Sequence, residues 1–286
     1  MINKKTKNLL IILLAGLFLS LGLAVYSQIC GQKDQEDIEF QIYEKGIYVV
    51  SIDSVYFAKN SDIYVSESLE TVYDVAKKNN VKIAINTGFF DPNNAKTISY
   101  VLKNNVIVEN PENNERLIQS EELKPYLDKI FNRSEFRVFN HPHFYIAKHF
   151  DPLEEKCIFK YSIQAGPELV PDFDLEEEFF ILKKDGKVVR ESVSALQKVA
   201  RSAIGIKKDR ILLVAVSNEK PMTLEELSGF MKNLDVEQAM AFDGGSSTSL
   251  YVDKNLIGME TDKPTFVLTS AKDNAARRVK SILIVK

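Results

Sequence analysis

The chain of 286 residues contains no tryptophan, three histidines and two cysteines. Without tryptophan there is no indole to stack on a sugar or a base. Three histidines leave little imidazole for catalysis or metal binding. His141-Pro142-His143 with His149 matches neither a helix face nor a standard zinc spacing. No metal and no cofactor is therefore expected, a divalent ion being the alternative kept. Two cysteines make no zinc site, and Cys30 and Cys157 are poor disulfide partners, so the fold must be held by its core. Basic charge is also lacking: 37 Lys and Arg stand against 40 Asp and Glu, a formal net charge of -3. That excludes the basic stripe of a general nucleic-acid binder. There is no internal repeat and no low-complexity segment.

Hydrophobic residues make up 45% of the chain, enough for one or two buried cores at this length. Part of that content is an address. Lys4, Lys5 and Lys7 precede Leu9 to Val25, an uncharged apolar run. This is the pattern of a signal peptide, and it lies at the short edge of a bilayer span of about 20 residues. Residues 1–27 are read as a cleaved signal or a retained anchor, with lipidation at Cys30 a third reading. Each of the three exports the domain, which would be secreted or held on the outer face of the cytoplasmic membrane. Membrane contact is expected through this segment alone. Residues 28–37 read as a polar tether, and 38–286 as one domain.

Within that domain Ile47–Ile52 and Arg210–Val216 are β-branched or apolar runs typical of buried strands. Val81–Asn86, Ala239–Phe242, Thr248–Val252 and Val279–Val285 read as further strands. Ser99–Val108 reads as a hairpin turning at Asn104-Asn105. Ser68–Asn79 has apolar residues at helical spacing. Ser120–Phe131 reads as a helix with Pro125 near its first turn, and Thr223–Leu234 as a helix opened by a Thr223/Glu226 capping box. Residues 110–159 hold all three histidines and look like a variable insertion. Glu176-Glu177-Glu178 reads as a solvated charge run. The irregular alternation of helices, strands and hairpins predicts an α/β (α+β) fold, a mixed sheet core with packed helices.

Five short blocks carry chemistry. Asp243-Gly244-Gly245-Ser246-Ser247 sets a carboxylate at the end of a buried strand, followed by a tight turn whose N–H groups suit an anion. The same residues also fit an ordinary hairpin turn. Asn86-Thr87-Gly88-Phe89-Phe90-Asp91 follows another strand in the same manner. Gln164-Ala165-Gly166-Pro167 ends a third. Arg201-Ser202-Ala203-Ile204-Gly205 places an arginine, whose paired donors grip phosphate, before a buried strand. Arg277-Arg278-Val279 leads into the last strand.

In this order the blocks resemble the phosphodiester glycosidase family over Ile47 to Lys286, with residues 110–159 poorly matched. Thr87 stands where Gly or Ala is usual, and Ser202 where Thr is commoner. The resemblance implies hydrolysis of a sugar-1-phosphodiester in a glycan or cell-envelope polymer. Asp243 is then the catalytic carboxylate and Asp91 the second. Asn86, Gly88, Gln164, Arg201, Gly244, Gly245, Ser246, Ser247 and Arg277 bind substrate and its phosphate. The leaving group is already a good one, so cationic donors are expected to matter more than a raised-pKa acid. Two other readings stand beside this one: a metal-assisted phosphodiesterase attacking phosphorus, and a non-catalytic glycan-binding module of the envelope.

Overall fold

Which strands lie innermost follows from which runs lack polar residues. The computed structural model describes residues 37–140, 143–153, 158–192, 194–258, 265–270 and 276–286. The expected signal or anchor, most of the tether, His141 and Cys157 lie outside the described residues. Among the described residues no helix is long and apolar enough to cross a membrane. Residues Ile38–Lys286 form one compact unit.

In chain order the strands are β1 (Ile38–Glu44), β2 (Ile47–Asp53), β3 (Ser61–Thr71), β4 (Ile83–Asn86), β5 (Val101–Lys103), β6 (Val106–Glu109), β7 (Ser134–Phe139), β8 (Phe144–Lys148) and β9 (Phe159–Gln164). They continue as β10 (Glu168–Val170), β11 (Ile181–Lys184), β12 (Lys187–Glu191), β13 (Arg201–Lys207), β14 (Arg210–Val216), β15 (Gln238–Ala241), β16 (Ser249–Asp253), β17 (Thr265–Thr269) and β18 (Arg278–Val285).

Three sheets carry the fold. Their orders are β1-β2-β14-β13-β15-β10, β17-β16-β4-β18-β3 and β6-β5-β9-β7-β8, with β11 and β12 as a separate hairpin. Pairing between these strands is antiparallel. β14, apolar at six of its seven positions, lies between β2 and β13 and is buried along its length. β4 is central in the second sheet and equally buried. Ile52, Ile85, Phe136, Ile163 and Leu213, from all three sheets, meet in one core. The expected α+β architecture is present, with more strand than helix.

Short helices close the gaps: α1 (Ser54–Asn60), α2 (Val72–Asn79), α3 (Glu115–Ile118), α4 (Leu127–Phe131) and α5 (Leu224–Asn233). α5 has the predicted capping box, with Glu226 N–H on Thr223 Oγ1 at 3.1 Å and Thr223 N–H on Glu226 Oε2 at 3.0 Å. The hairpin turns where predicted, with Asn104 at φ 51° and Asn105 at φ 62°, the signs a two-residue type I′ turn needs.

Three local expectations change. Residues 68–71 finish β3 and do not begin a helix, because pairing with β18 carries the strand to Thr71, which then caps α2. Ser120–Phe131 breaks into a 3-10 turn at Lys124–Tyr126 and the short α4, where Pro125 interrupts the ladder. Glu178 is not part of a solvated run. It is 1% exposed and accepts from Ser134 N–H, Ser134 Oγ, Lys148 Nζ and Glu168 N–H. Residues 110–159 contain β7 and β8, which complete the third sheet.

Candidate active site

The first and second sheets meet at the end of β15. Ala241 still pairs with Ala203 of β13, and Phe242 N–H reaches Ser202 O at 2.8 Å. The next residue crosses over: Asp243 N–H donates to Thr87 O, just past β4, at 2.8 Å. Asn86 Nδ2 donates to Asp243 O at 2.6 Å. Both main-chain groups of Asp243 are therefore fixed by the second sheet, which aims its side chain without help from a ligand.

Asn86 is the bolt of this joint. It is 1% exposed, and its Oδ1 accepts from Ser202 Oγ at 2.7 Å and Ser249 N–H at 3.0 Å. Nearby, Ser281 Oγ takes Thr87 Oγ1 at 2.9 Å and Gly88 N–H at 3.1 Å. A methyl on Gly88 would lie 2.9 Å from Ser99 Cβ and 3.1 Å from Ile163 Cδ1, so only glycine fits. Asn86 and Gly88 thus hold the frame.

Gly245 takes φ +59°, a conformation that favours glycine, and its N–H goes to Ala200 O at 2.7 Å. Gly244 N–H and the Ser247 hydroxyl both bond the Asp243 carboxyl. Ser247 N–H and Thr248 N–H return to Gly244 O and Gly245 O. These N–H groups are engaged within the protein, so the turn is not the open anion nest its sequence suggests. Ser246 is exposed and Ser247 buried.

The expected arginines divide. Arg201 is 2% exposed, and its guanidinium donates to three main-chain carbonyls: Met222 at 2.9 Å, Ser194 at 2.7 Å and Gln197 at 2.8 Å. It borders the site, since a methyl on Gly244 would meet its Nη1 at 3.5 Å, but its donors tie down two loops. Burial lowers its pKa to about 10. Arg277 lies 5.6 Å from the Phe90 ring, and its charge favours ionised Asp243. Gln164 is fully buried, donating to Phe131 O at 2.6 Å.

Asp91 does not join Asp243. It accepts from Arg116 Nε at 2.8 Å and Asn93 N–H at 2.8 Å in an outer turn. Burial works to raise its pKa, but the Asn93 N–H and Arg116 together outweigh it and the net shift is downward.

The cavity in front of Asp243 has a volume of about 170 Å³. Phe89, Phe90, Ile98, Leu117, Leu123 and Ile130 make its apolar walls, and Asp243, Arg133, Arg190 and Ser192 its polar ones. Among the described lining residues Asp243 is the sole carboxylate. Although the residue keeps some surface, burial of its carboxyl pushes the pKa up to about 7, against the Ser247 hydroxyl, Arg277 and the Gly244 N–H. Arg133, Arg190 and Ser192 belong to no motif, and sequence reading missed them. Among the described residues no three His, Cys, Asp or Glu side chains are grouped as metal ligands would be.

The family model described as phosphodiester glycosidase matches residues 79–286. The catalytic domain of zebrafish N-acetylglucosamine-1-phosphodiester alpha-N-acetylglucosaminidase, auto-inhibited by its pro-peptide, is similar in structure. Its TM-score is 0.57 at 15% identity, covering 87% of this chain and 81% of that one. A hypothetical protein from Synechocystis has TM-score 0.56 at 14% identity, covering 87% of this chain and 61% of that one. At such identities the likeness is one of fold. No curated protein matches the chain.

Proposed function

The chain belongs to the phosphodiester glycosidase family, hydrolases acting on glycosyl phosphodiesters, and from that premise we propose that it cleaves the C1–O bond of a sugar-1-phosphodiester with Asp243 as its catalytic carboxylate. The observation that carries this is the isolation of Asp243: one fixed carboxylate in an apolar-walled cavity, faced by arginines. Ordinary glycosidases need two carboxylates, one to protonate a poor leaving group. A phosphate monoester departs without that help, so a single carboxylate suits this substrate class.

In the proposed reaction the C1–O bond breaks and its electron pair leaves with the oxygen on phosphorus. A water oxygen bonds to C1, and ionised Asp243 accepts the water proton and passes it to solvent. The products are a free sugar and a phosphate monoester. Before the proton moves, the same carboxylate faces the positive charge that develops at C1. The raised pKa differs from the sequence expectation of little need for such a group. It means that the active, ionised fraction grows as pH passes about 7.

The apolar run Leu9 to Val25 supports an exported protein, and a glycan or cell-envelope polymer is the substrate available there. Hydrolysis of a panel of sugar-1-phosphodiesters in oxygen-18 water tests the reading. Label in the sugar is the expected result. Label in the phosphate would mean attack at phosphorus, and no hydrolysis across the panel would favour a binding module.

A further inference from the structure

Arg133 and Arg190 share the cavity of Asp243, yet neither is used up by the fold as Arg201 is. Arg133 is 5% exposed. Its Nε donates to Glu178 O at 3.0 Å and its Nη2 to Phe179 O at 3.3 Å. Nη1 has no hydrogen-bond partner among the described residues. The guanidinium lies 4.1 Å from the Phe180 ring and 5.4 Å from Phe89, which fixes its plane. Arg190 is held 4.7 Å from the Phe179 ring, with Nε on Glu122 Oε1 at 2.8 Å and Nη1 on Ser192 Oγ at 2.6 Å. Its Nη2 has no partner among the described residues.

Two like charges do not approach a common apolar cavity without reason. Burial lowers the pKa of Arg133 to about 10, against the pull of Glu178 and with the charge of Arg190 adding to the fall. Their nearest carboxylates do not enter the cavity. Glu178 is shared with Lys148 at 2.7 Å, and Glu122 is 71% exposed on the outer side of Arg190. Both guanidiniums line the cavity, and each keeps one nitrogen without a partner among the described residues. A tetrahedral oxyanion with two free oxygens matches that arrangement, because each fork can take one oxygen while the anion relieves the repulsion.

Resting on the reading of Asp243 given above, we propose that Arg133 and Arg190 form the phosphate-binding wall of this site. The substrate's phosphate then lies between them, with its anomeric carbon turned toward Asp243. Arg201 does not touch the phosphate. Arg190 is the residue that discriminates phosphodiesters from uncharged glycosides.

The test measures binding of inorganic phosphate to the full-length protein by calorimetry, so it does not depend on turnover. Losing one charge-assisted contact of about 1.5–3 kcal/mol weakens binding about tenfold or more. Arg190→Met should do this, with thermal unfolding as the check on folding. Arg190→Lys, which keeps the charge and loses the fork, should fall between, and it replaces the methionine variant if that one unfolds. Arg201→Lys should leave phosphate affinity within about twofold. Unchanged affinity in Arg190→Met or Arg190→Lys, or no phosphate binding by the unsubstituted protein, overturns the proposal. Arg190-dependent binding without hydrolysis of any glycosyl phosphodiester would instead remove the catalytic reading and leave the phosphate wall standing.

Discussion

Asn86, Gln164 and Arg201 are nearly or fully buried and direct their polar atoms at the protein's own main chain, whereas Arg133 and Arg190 line the cavity with donors to spare. The first group stands in short, recognisable blocks beside strands. The second stands alone in segments without a motif. In this molecule the blocks build the frame that holds the main chain of Asp243. The two arginines that line its cavity stand outside any such block. Arg201 is the instructive case: its residue type suggested phosphate, and its three carbonyl partners show a brace.

The sharpest way to break this division is Asp243→Asn. It should lower kcat by about 100-fold or more while KM changes little, the pattern of a group that acts on transition-state charge. The folded chain should survive, because asparagine keeps the shape. It should also lose a pH dependence of stability. The folded carboxyl holds its proton up to about 7 against an ordinary value of 3.8. Folding therefore favours protonation in that window, and stability falls as pH rises through it. Unfolding temperatures of the variant should lack that decline.

Asn86→Ala comes next. It strips partners from Asp243 O, Ser202 Oγ and Ser249 N–H inside the core. Leaving such groups unpaired costs about 1–3 kcal/mol each. Both stability and kcat should drop, and denaturant unfolding together with kinetics would show it. If only KM moved, Asn86 would be a ligand contact after all.

Arg201→Met should destabilise the fold by several charge-assisted bonds of about 1.5–3 kcal/mol each, a value reduced by whatever water reaches the carbonyls. In the surviving folded protein KM should shift little. A large KM effect with unchanged unfolding would return Arg201 to the phosphate.

The smallest effect belongs to Asp91→Asn. Its partner Arg116 is 59% exposed, and such surface pairs contribute about 1 kcal/mol or less. Turnover should stay near that of the unsubstituted chain. A loss of kcat approaching that of Asp243→Asn would make Asp91 the second carboxylate.

The same physics explains what the sequence could show. β14 was legible because six of the seven residues of RILLVAV are apolar, and α5 because its cap needs two named side chains. β3 was not, since Leu69 and Val72 are as far apart as residues on one helix face, and only pairing with β18 decides the matter. β7 hid because Glu135 and Arg137 look exposed, yet each is buried, within 3.5 Å of the other. Asp243 was legible from its turn. The walls of its cavity were not, because Arg133 and Arg190 come together only through the packing of the Phe179-Phe180 segment between them.

The pH dependence of kcat/KM on a sugar-1-phosphodiester reaches the central claim most directly. With ionised Asp243 as the catalytic group, kcat/KM should rise with pH and level off above an apparent pKa of about 7. Asp243→Asn should abolish that limb at every pH. A profile that falls through the same region, or a limb that persists in the asparagine variant, would contradict it.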